Sequence, residues 1–122
     1  MEKTSQKNKL ITYSFDATGE SFGRLAAKVS VALRGKKMAT YNPGVIPAIN
    51  VNITNISKIK FNEKKFNNKI IYHYSGYPGG LKKTTWQKAF GQSPRLLFMK
   101  VLRNMLPNNR LKKTLLKNVK FQ

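Results

Sequence analysis

Along residues 11–16, apolar Ile11, Tyr13 and Phe15 alternate with polar neighbours, the two-residue period of a β-strand. Asp16-Ala17-Thr18-Gly19-Glu20 reads as a turn, and the period then changes. Phe22, Leu25, Ala26, Val29 and Leu33 fall three or four apart, which predicts an amphipathic helix capped at Ser21 and stopped at Gly35. Arg24 and Lys28 lie together beside that stripe, while Arg34, Lys36 and Lys37 crowd the helix end, where cations suit the dipole. Met38 to Pro47 holds two prolines and a glycine and reads as an irregular loop. Ile49, Val51 and Ile53 alternate with Asn50, Asn52 and Thr54 as a second strand.

Ile56, Ile59 and Phe61 suggest a short helix or turn followed by another extended piece. Asn62 to Lys69 reads as a turn, Ile70 to Tyr74 as a strand, and Ser75 to Gly80 as a loop. The last third reads as helical. Thr84 or Thr85 caps a helix through Trp86, Ala89 and Phe90 that stops at Gly91. Ser93-Pro94 opens the next, with Leu97, Val101 and Met105 along one face, widened by Phe98 and Leu102, and Pro107 ending it. Leu111, Leu115 and Val119 stripe a final helix whose other face carries Arg110, Lys112, Lys113, Lys117 and Lys120. The order predicts an α/β domain with a small, partly parallel sheet covered by helices: one domain over residues 11–122, preceded by a flexible basic arm over residues 1–10.

Charge changes the picture most. The 122 residues carry 24 Lys plus Arg against 4 acids, a net charge of +20, and beyond Glu63 there is no acid at all but 14 cations. Such a body repels itself unless a polyanion neutralises it, so nucleic acid is the expected partner. The same composition excludes several classes. Without cysteine there is no disulfide scaffold, zinc ribbon or thiol nucleophile. No apolar run approaches the ~18 residues of a membrane span, which excludes a spanning protein; with nucleic acid as the expected partner, no membrane partner is expected. His73 is the lone histidine, and only Asp16 and Glu20 lie near one another among the acids, too little for a catalytic base or a two-metal site. The glycines of Gly76-Tyr77-Pro78-Gly79-Gly80-Leu81-Lys82-Lys83 lack the spacing of a nucleotide-binding P-loop. We therefore expect no catalytic residue, no metal, no cofactor and no small-molecule substrate.

That loop has another use, since open backbone beside a ring and two lysines can press close to an RNA backbone, although a plain tight turn has the same composition. Tyr13, Phe15, Phe22, Trp86, Phe90 and Phe98 fall on apolar faces and read as core, whereas Tyr41, Tyr72, Tyr74 and Tyr77 sit in or beside polar loops and are candidates for stacking.

Four collinear segments carry a family resemblance. They are Asp16-Ala17-Thr18-Gly19-Glu20 running into Phe22-Gly23-Arg24-Leu25-Ala26; Leu33-Arg34-Gly35-Lys36-Lys37 through Tyr41-Asn42-Pro43; Tyr74-Ser75-Gly76-Tyr77-Pro78-Gly79-Gly80-Leu81; and Met105-Leu106-Pro107-Asn108-Asn109 with Leu111. Together, over residues 11–122, they resemble the bacterial-type L-thirteen family of large-subunit ribosomal proteins. The chain departs from that pattern at Tyr74, where the family usually has His, at Ala48-Ile49 for Gly-Asp, at Asn104 for Gly and at Lys112 for Gly. The resemblance implies a three-layer α/β/α sandwich with a small, mainly parallel four-stranded sheet and a helical C-terminal third. It also implies a non-enzymatic protein, cytoplasmic and ribosome-bound in a bacterium or an organelle, that joins large-subunit ribosomal RNA and neighbouring large-subunit proteins early in assembly.

On this reading phosphate contacts fall to Arg24, Arg34, Lys36, Lys37, Lys82, Lys83, Arg103, Arg110, Lys112 and Lys113, with Tyr41, Tyr74 and Tyr77 for stacking or sugar contact. The rival readings are a basic nucleic-acid enzyme using His73, Asp16 and Glu20, a membrane-active chain using its last helix, and a DNA-packaging protein.

Overall fold

The computed structural model describes residues 10–39 and 41–122; the expected N-terminal arm, apart from Leu10, lies outside the described residues. Strand β1 (Ile11–Asp16) leads into helix α1 (Phe22–Arg34) and strand β2 (Ile49–Thr54). A 3-10 turn (Ile56–Lys58), α2 (Glu63–Asn68), β3 (Ile70–Tyr74) and β4 (Leu81–Thr85) follow. Then come α3 (Trp86–Gln92), α4 (Pro94–Met105), α5 (Lys112–Lys117) and β5 (Val119–Phe121). The α/β class is as expected; several details differ, among them the end of α3, which runs through the expected stop at Gly91 to Gln92.

First, the strands form two sheets. β1, β2 and β5 make a parallel sheet in the order β1-β2-β5, while β3 and β4 pair only with each other as an antiparallel hairpin. The expected single four-stranded sheet is thus replaced by three strands and a separate hairpin. The Leu81–Thr85 strand, LKKTT, has no apolar alternation to announce it; its edge is defined by pairing with Ile70–Tyr74.

Second, the expected final helix through Val119 ends at Lys117 and the chain re-enters the sheet beside β2, with Val51 opposite Val119 and Ile53 opposite Phe121. Leu111, Leu115 and Val119 are spaced by four, but Val119, Lys120 and Phe121 also alternate, and the open edge of β2 favours the extended form. Third, Asn62 to Lys69, expected as a turn, contains α2. The Asn62 carbonyl accepts from the Phe66 amide at 2.9 Å, and the short helix stacks the Phe66 ring on Phe61 at 4.1 Å between centroids.

The three-stranded sheet is apolar on one side only. Ile11, Tyr13, Phe15, Ile49, Val51, Ile53, Val119 and Phe121 join the core with Leu25, Val29 and Leu33 of α1 and Leu97, Phe98 and Leu102 of α4. The alternate positions Thr12, Ser14, Asp16, Asn50, Asn52, Thr54 and Lys120 form the opposite, open face. Among the described residues this makes two layers, where the resemblance implied three. Phe98 is fully buried at the centre, its ring meeting Phe22 at 5.5 Å and Phe121 at 6.0 Å, so it ties both helices to the sheet.

Local signals explain the ends. Gly35 closes α1 at φ +74°, and a Cβ there would approach Pro47 to 3.2 Å, so conformation and space both demand glycine. Ser93 and Thr85 cap α4 and α3 through their hydroxyls, which accept from the Leu96 and Lys88 amides at 3.4 and 3.3 Å. Ser21 makes no such side-chain cap; its backbone bridges to Lys60 in parallel instead.

Asp16 ends β1 and fastens it to the end of β2. Its carboxylate accepts from the Thr18 amide at 3.0 Å and from the Asn55 side chain at 3.2 Å, and these bonds, with Lys58 nearby, hold its pKa below the ordinary value. A carboxylate with a depressed folded pKa contributes stability above the ordinary range of about 4 and loses it as pH falls through the lowered value. Urea unfolding midpoints are therefore expected to fall more steeply on acidification below about pH 5 in the unaltered chain than in Asp16→Asn. Equal slopes would show that the bonds do not distinguish the charged form.

Candidate nucleic-acid interface

The end of α1 and the loop after it form the first surface. Arg34, half-buried in the last turn of α1, lines a cup of about 150 Å³ with Lys36 and Tyr41. The opposite wall comes from the segment after α4, with Pro107, Asn109 and Leu111. Segments far apart in sequence meet here because α1 and α4 pack side by side on the sheet. Both loops are pinned by asparagine: the Asn42 side chain accepts from the Gly44 amide at 3.0 Å and the Asn109 side chain from the Leu111 amide at 3.1 Å. The Arg34 Nε is buried and has no hydrogen-bond partner among the described residues. Arg34 and Lys36 give the cup a cationic lining beside the Tyr41 ring, which suits an oxyanion.

Lys37 behaves differently from its neighbours. Its Nζ lies 5.6 Å from the ring centre of Tyr13 and 6.0 Å from that of Phe15, covering the exposed rim of β1 as a cation over aromatic faces.

The second surface is the β3–β4 hairpin. Pairing sets Tyr72 opposite Lys83, His73 opposite Lys82 and Tyr74 opposite Leu81. Side chains alternate across a strand pair, so Tyr72, Tyr74, Leu81 and Lys83 share one face, and His73 and Lys82 the other. Lys83 Nζ sits 5.9 Å from the Tyr72 ring centre. Tyr72, Tyr74 and Tyr77 are 58%, 61% and 76% exposed, far more than a tyrosine fitted into a core. Three rings standing in solvent beside lysines suit stacking on bases or sugars.

The remaining predicted cations are dispersed. Arg24 is exposed on the first turn of α1, Arg103 on the last turn of α4, and Arg110 in the turn between the cup residues Asn109 and Leu111. Lys112 is half-buried and Lys113 exposed at the start of α5. The structure thus joins Arg34, Lys36 and Tyr41 in one place and Tyr74 and Lys83 in another. It leaves Lys37 on the sheet rim and Lys82 on the far side of the hairpin. Tyr72 was legible as a stacking ring but not as the partner of Lys83. Lys60 and Lys69, which flank a cavity at the start of α1, were missed, because the pairing of Ser21 with Lys60 brings them there.

A basic α/β domain that gathers its rings and cations on open loops and a hairpin has the form of a structural nucleic-acid-associated protein. The comparisons sharpen this. The family model described as Ribosomal protein L13 matches residues 11–121. The large ribosomal subunit protein uL13 of Symbiobacterium thermophilum is 40% identical over 108 residues, 88% of this chain and 76% of that protein. Those of Clostridium novyi and Pseudoalteromonas translucida are 39% and 35% identical over 108 residues, each again covering 88% of this chain and 75% and 76% of the relative. The chain belongs to the ribosomal protein L13 family; it is a structural ribosomal protein and not an enzyme.

Proposed function

We propose that this chain is built into the large ribosomal subunit, where residues 11–122 act as one domain that holds large-subunit ribosomal RNA and meets neighbouring large-subunit proteins. On this reading it resides in the cytoplasm, or the organelle interior, as part of the ribosome. The observation that carries the reading is the cup that gathers Arg34, Lys36 and Tyr41 on a chain of net charge +20. Phosphates entering at the cup and along the hairpin would release counterions, while Tyr72, Tyr74 and Tyr77 stack on bases or sugars that duplex geometry leaves open. Arg24, Arg103, Arg110, Lys112 and Lys113 serve as further phosphate contacts. The role is scaffolding: neutralised RNA segments lie closer together than their charges otherwise permit.

Sedimentation of a native lysate on a sucrose gradient after a high-salt wash tests this. The chain is expected in the large-subunit peak. Its presence in the light fractions alone would mean that the fold has outlived the job. Tyr74→Ala combined with Tyr77→Ala is expected to weaken RNA binding by roughly 5-fold or more per stacked ring, with far-UV circular dichroism unchanged. Binding equal to that of the unaltered chain would remove the hairpin from the interface.

A further inference from the structure

A cavity of about 480 Å³ opens at the start of α1, apart from the cup and from the hairpin tip. Its wall is aromatic. Phe22 lies buried at the bottom, stacked on Phe61 at 5.1 Å, and Phe61 is stacked in turn on Phe66 at 4.1 Å. Trp86, 5.4 Å from Phe22, completes the wall and, like Phe61 and Phe66, is half-buried. The rim is cationic: Arg24, Lys60 and Lys69. No carboxylate lines the cavity among the described residues. Lys69 Nζ lies 4.3 Å from the Trp86 ring centre, resting on an aromatic face. Glu20 lines only the neighbouring depression, and its carboxylate is occupied by Lys28 at 3.2 Å.

A volume of this size is that of a small-molecule site. Flat rings edged by unneutralised cations match one chemistry closely, a planar base attached to phosphates. Asn62 and Ser21 at the mouth add the donors and acceptors that a base edge would use. An apolar side chain from a neighbouring protein would fill the wall but leave three cations uncompensated.

We propose that this cavity seats one unpaired nucleobase of the bound RNA, stacked against Phe66 and Trp86, with Phe61 packed behind them and Arg24, Lys60 and Lys69 on the flanking phosphates. The inference rests on the RNA-binding reading above and adds a specific site to it. The seat requires RNA whose bases can leave the stack, so it selects single-stranded or bulged segments over plain duplex.

Trp86 is the chain's single tryptophan, so its fluorescence reports this cavity alone. The full chain is titrated at low salt with a short oligoadenylate, and with an abasic ribose-phosphate strand of the same length and charge. Binding is followed in parallel by the anisotropy of a label on the strand. Oligoadenylate is expected to quench Trp86 and to bind roughly 5- to 150-fold more tightly than the abasic strand. Phe66→Leu, which keeps the apolar volume and loses the stacking face, is expected to remove the Trp86 quenching and lower that preference, the remainder belonging to the hairpin tyrosines, and to leave abasic binding unchanged. If both strands bind but quench equally, or neither quenches, the base seat is overturned while RNA binding stands. If neither strand binds, the RNA-binding reading fails and the seat with it. If Phe66→Leu proves unfolded by circular dichroism, the quenching of Trp86 by oligoadenylate against that by the abasic strand in the unaltered chain decides alone.

Discussion

Raising salt from about 50 to about 200 mM is expected to weaken the binding of this chain to large-subunit ribosomal RNA by roughly 10³- to 10⁵-fold, as for a protein neutralising about six to ten phosphates. The expectation follows from how the charge is distributed. Acids are absent after Glu63, and the one ion pair found among the described residues, Lys28–Glu20, consumes a single cation. Arg24, Lys36, Lys82, Lys83, Arg103, Arg110 and Lys113 all stand exposed, each able to release counterions from a phosphate. The gain comes mainly from the entropy of releasing condensed counterions into bulk solution, which shrinks as bulk salt rises, and this is why binding fades so steeply with salt. Each phosphate contact removed reduces the slope of log affinity against log salt by about 1, so Lys82→Gln with Lys83→Gln is expected to flatten it by about 2. Filter binding across a salt series reads both numbers. A slope near zero would refute phosphate neutralisation as the basis of binding.

The second large effect is on the fold. Phe98→Ala is expected to cost about 3–5 kcal/mol of stability, comparable to the whole margin of many small domains. Phe98 has no exposure, and among the described residues it alone meets aromatic rings of both α1 and β5. Removing it opens a cavity between helices and sheet that the flanking Leu97 and Leu102 cannot fill without leaving their own sites, because cores of this density relax only partly. Self-repulsion at +20 leaves less reserve than a neutral domain has. Urea denaturation followed by circular dichroism is expected to show a large drop in midpoint or no folded baseline. Added RNA should restore part of the loss, since a partner that binds only the folded form stabilises it by mass action. An unfolding free energy within about 1 kcal/mol of that of the unaltered chain would mean that Phe98 is not the keystone its contacts indicate.

The sequence by itself determined much of this protein. Period-two alternation fixed β1 and β2, and 3–4 spacing fixed α1 and α4, because those patterns depend only on where successive side chains point. Gly35, Thr85 and Ser93 marked helix ends through local chemistry, and the excess of cations announced a polyanionic partner. Even the one-sided sheet was written in the alternation of Asn50, Asn52 and Thr54 with their apolar neighbours; the three-layer expectation came from the family resemblance and not from these residues.

What the tertiary structure alone decided were the choices between two periods that the same residues satisfy, and the meetings of distant segments. Val119 to Phe121 can continue a helical stripe or alternate as a strand, and the unpaired edge of β2 selected the strand by offering hydrogen bonds. LKKTT became a strand only against Ile70–Tyr74. The cup joins Arg34 to Asn109, and the aromatic cavity joins Arg24 to Lys69 and Trp86, across separations that no local pattern encodes. Burial of α1 and α4 on one face of the sheet set those distances, because non-local contacts are fixed by packing the whole core and not by the propensity of any segment.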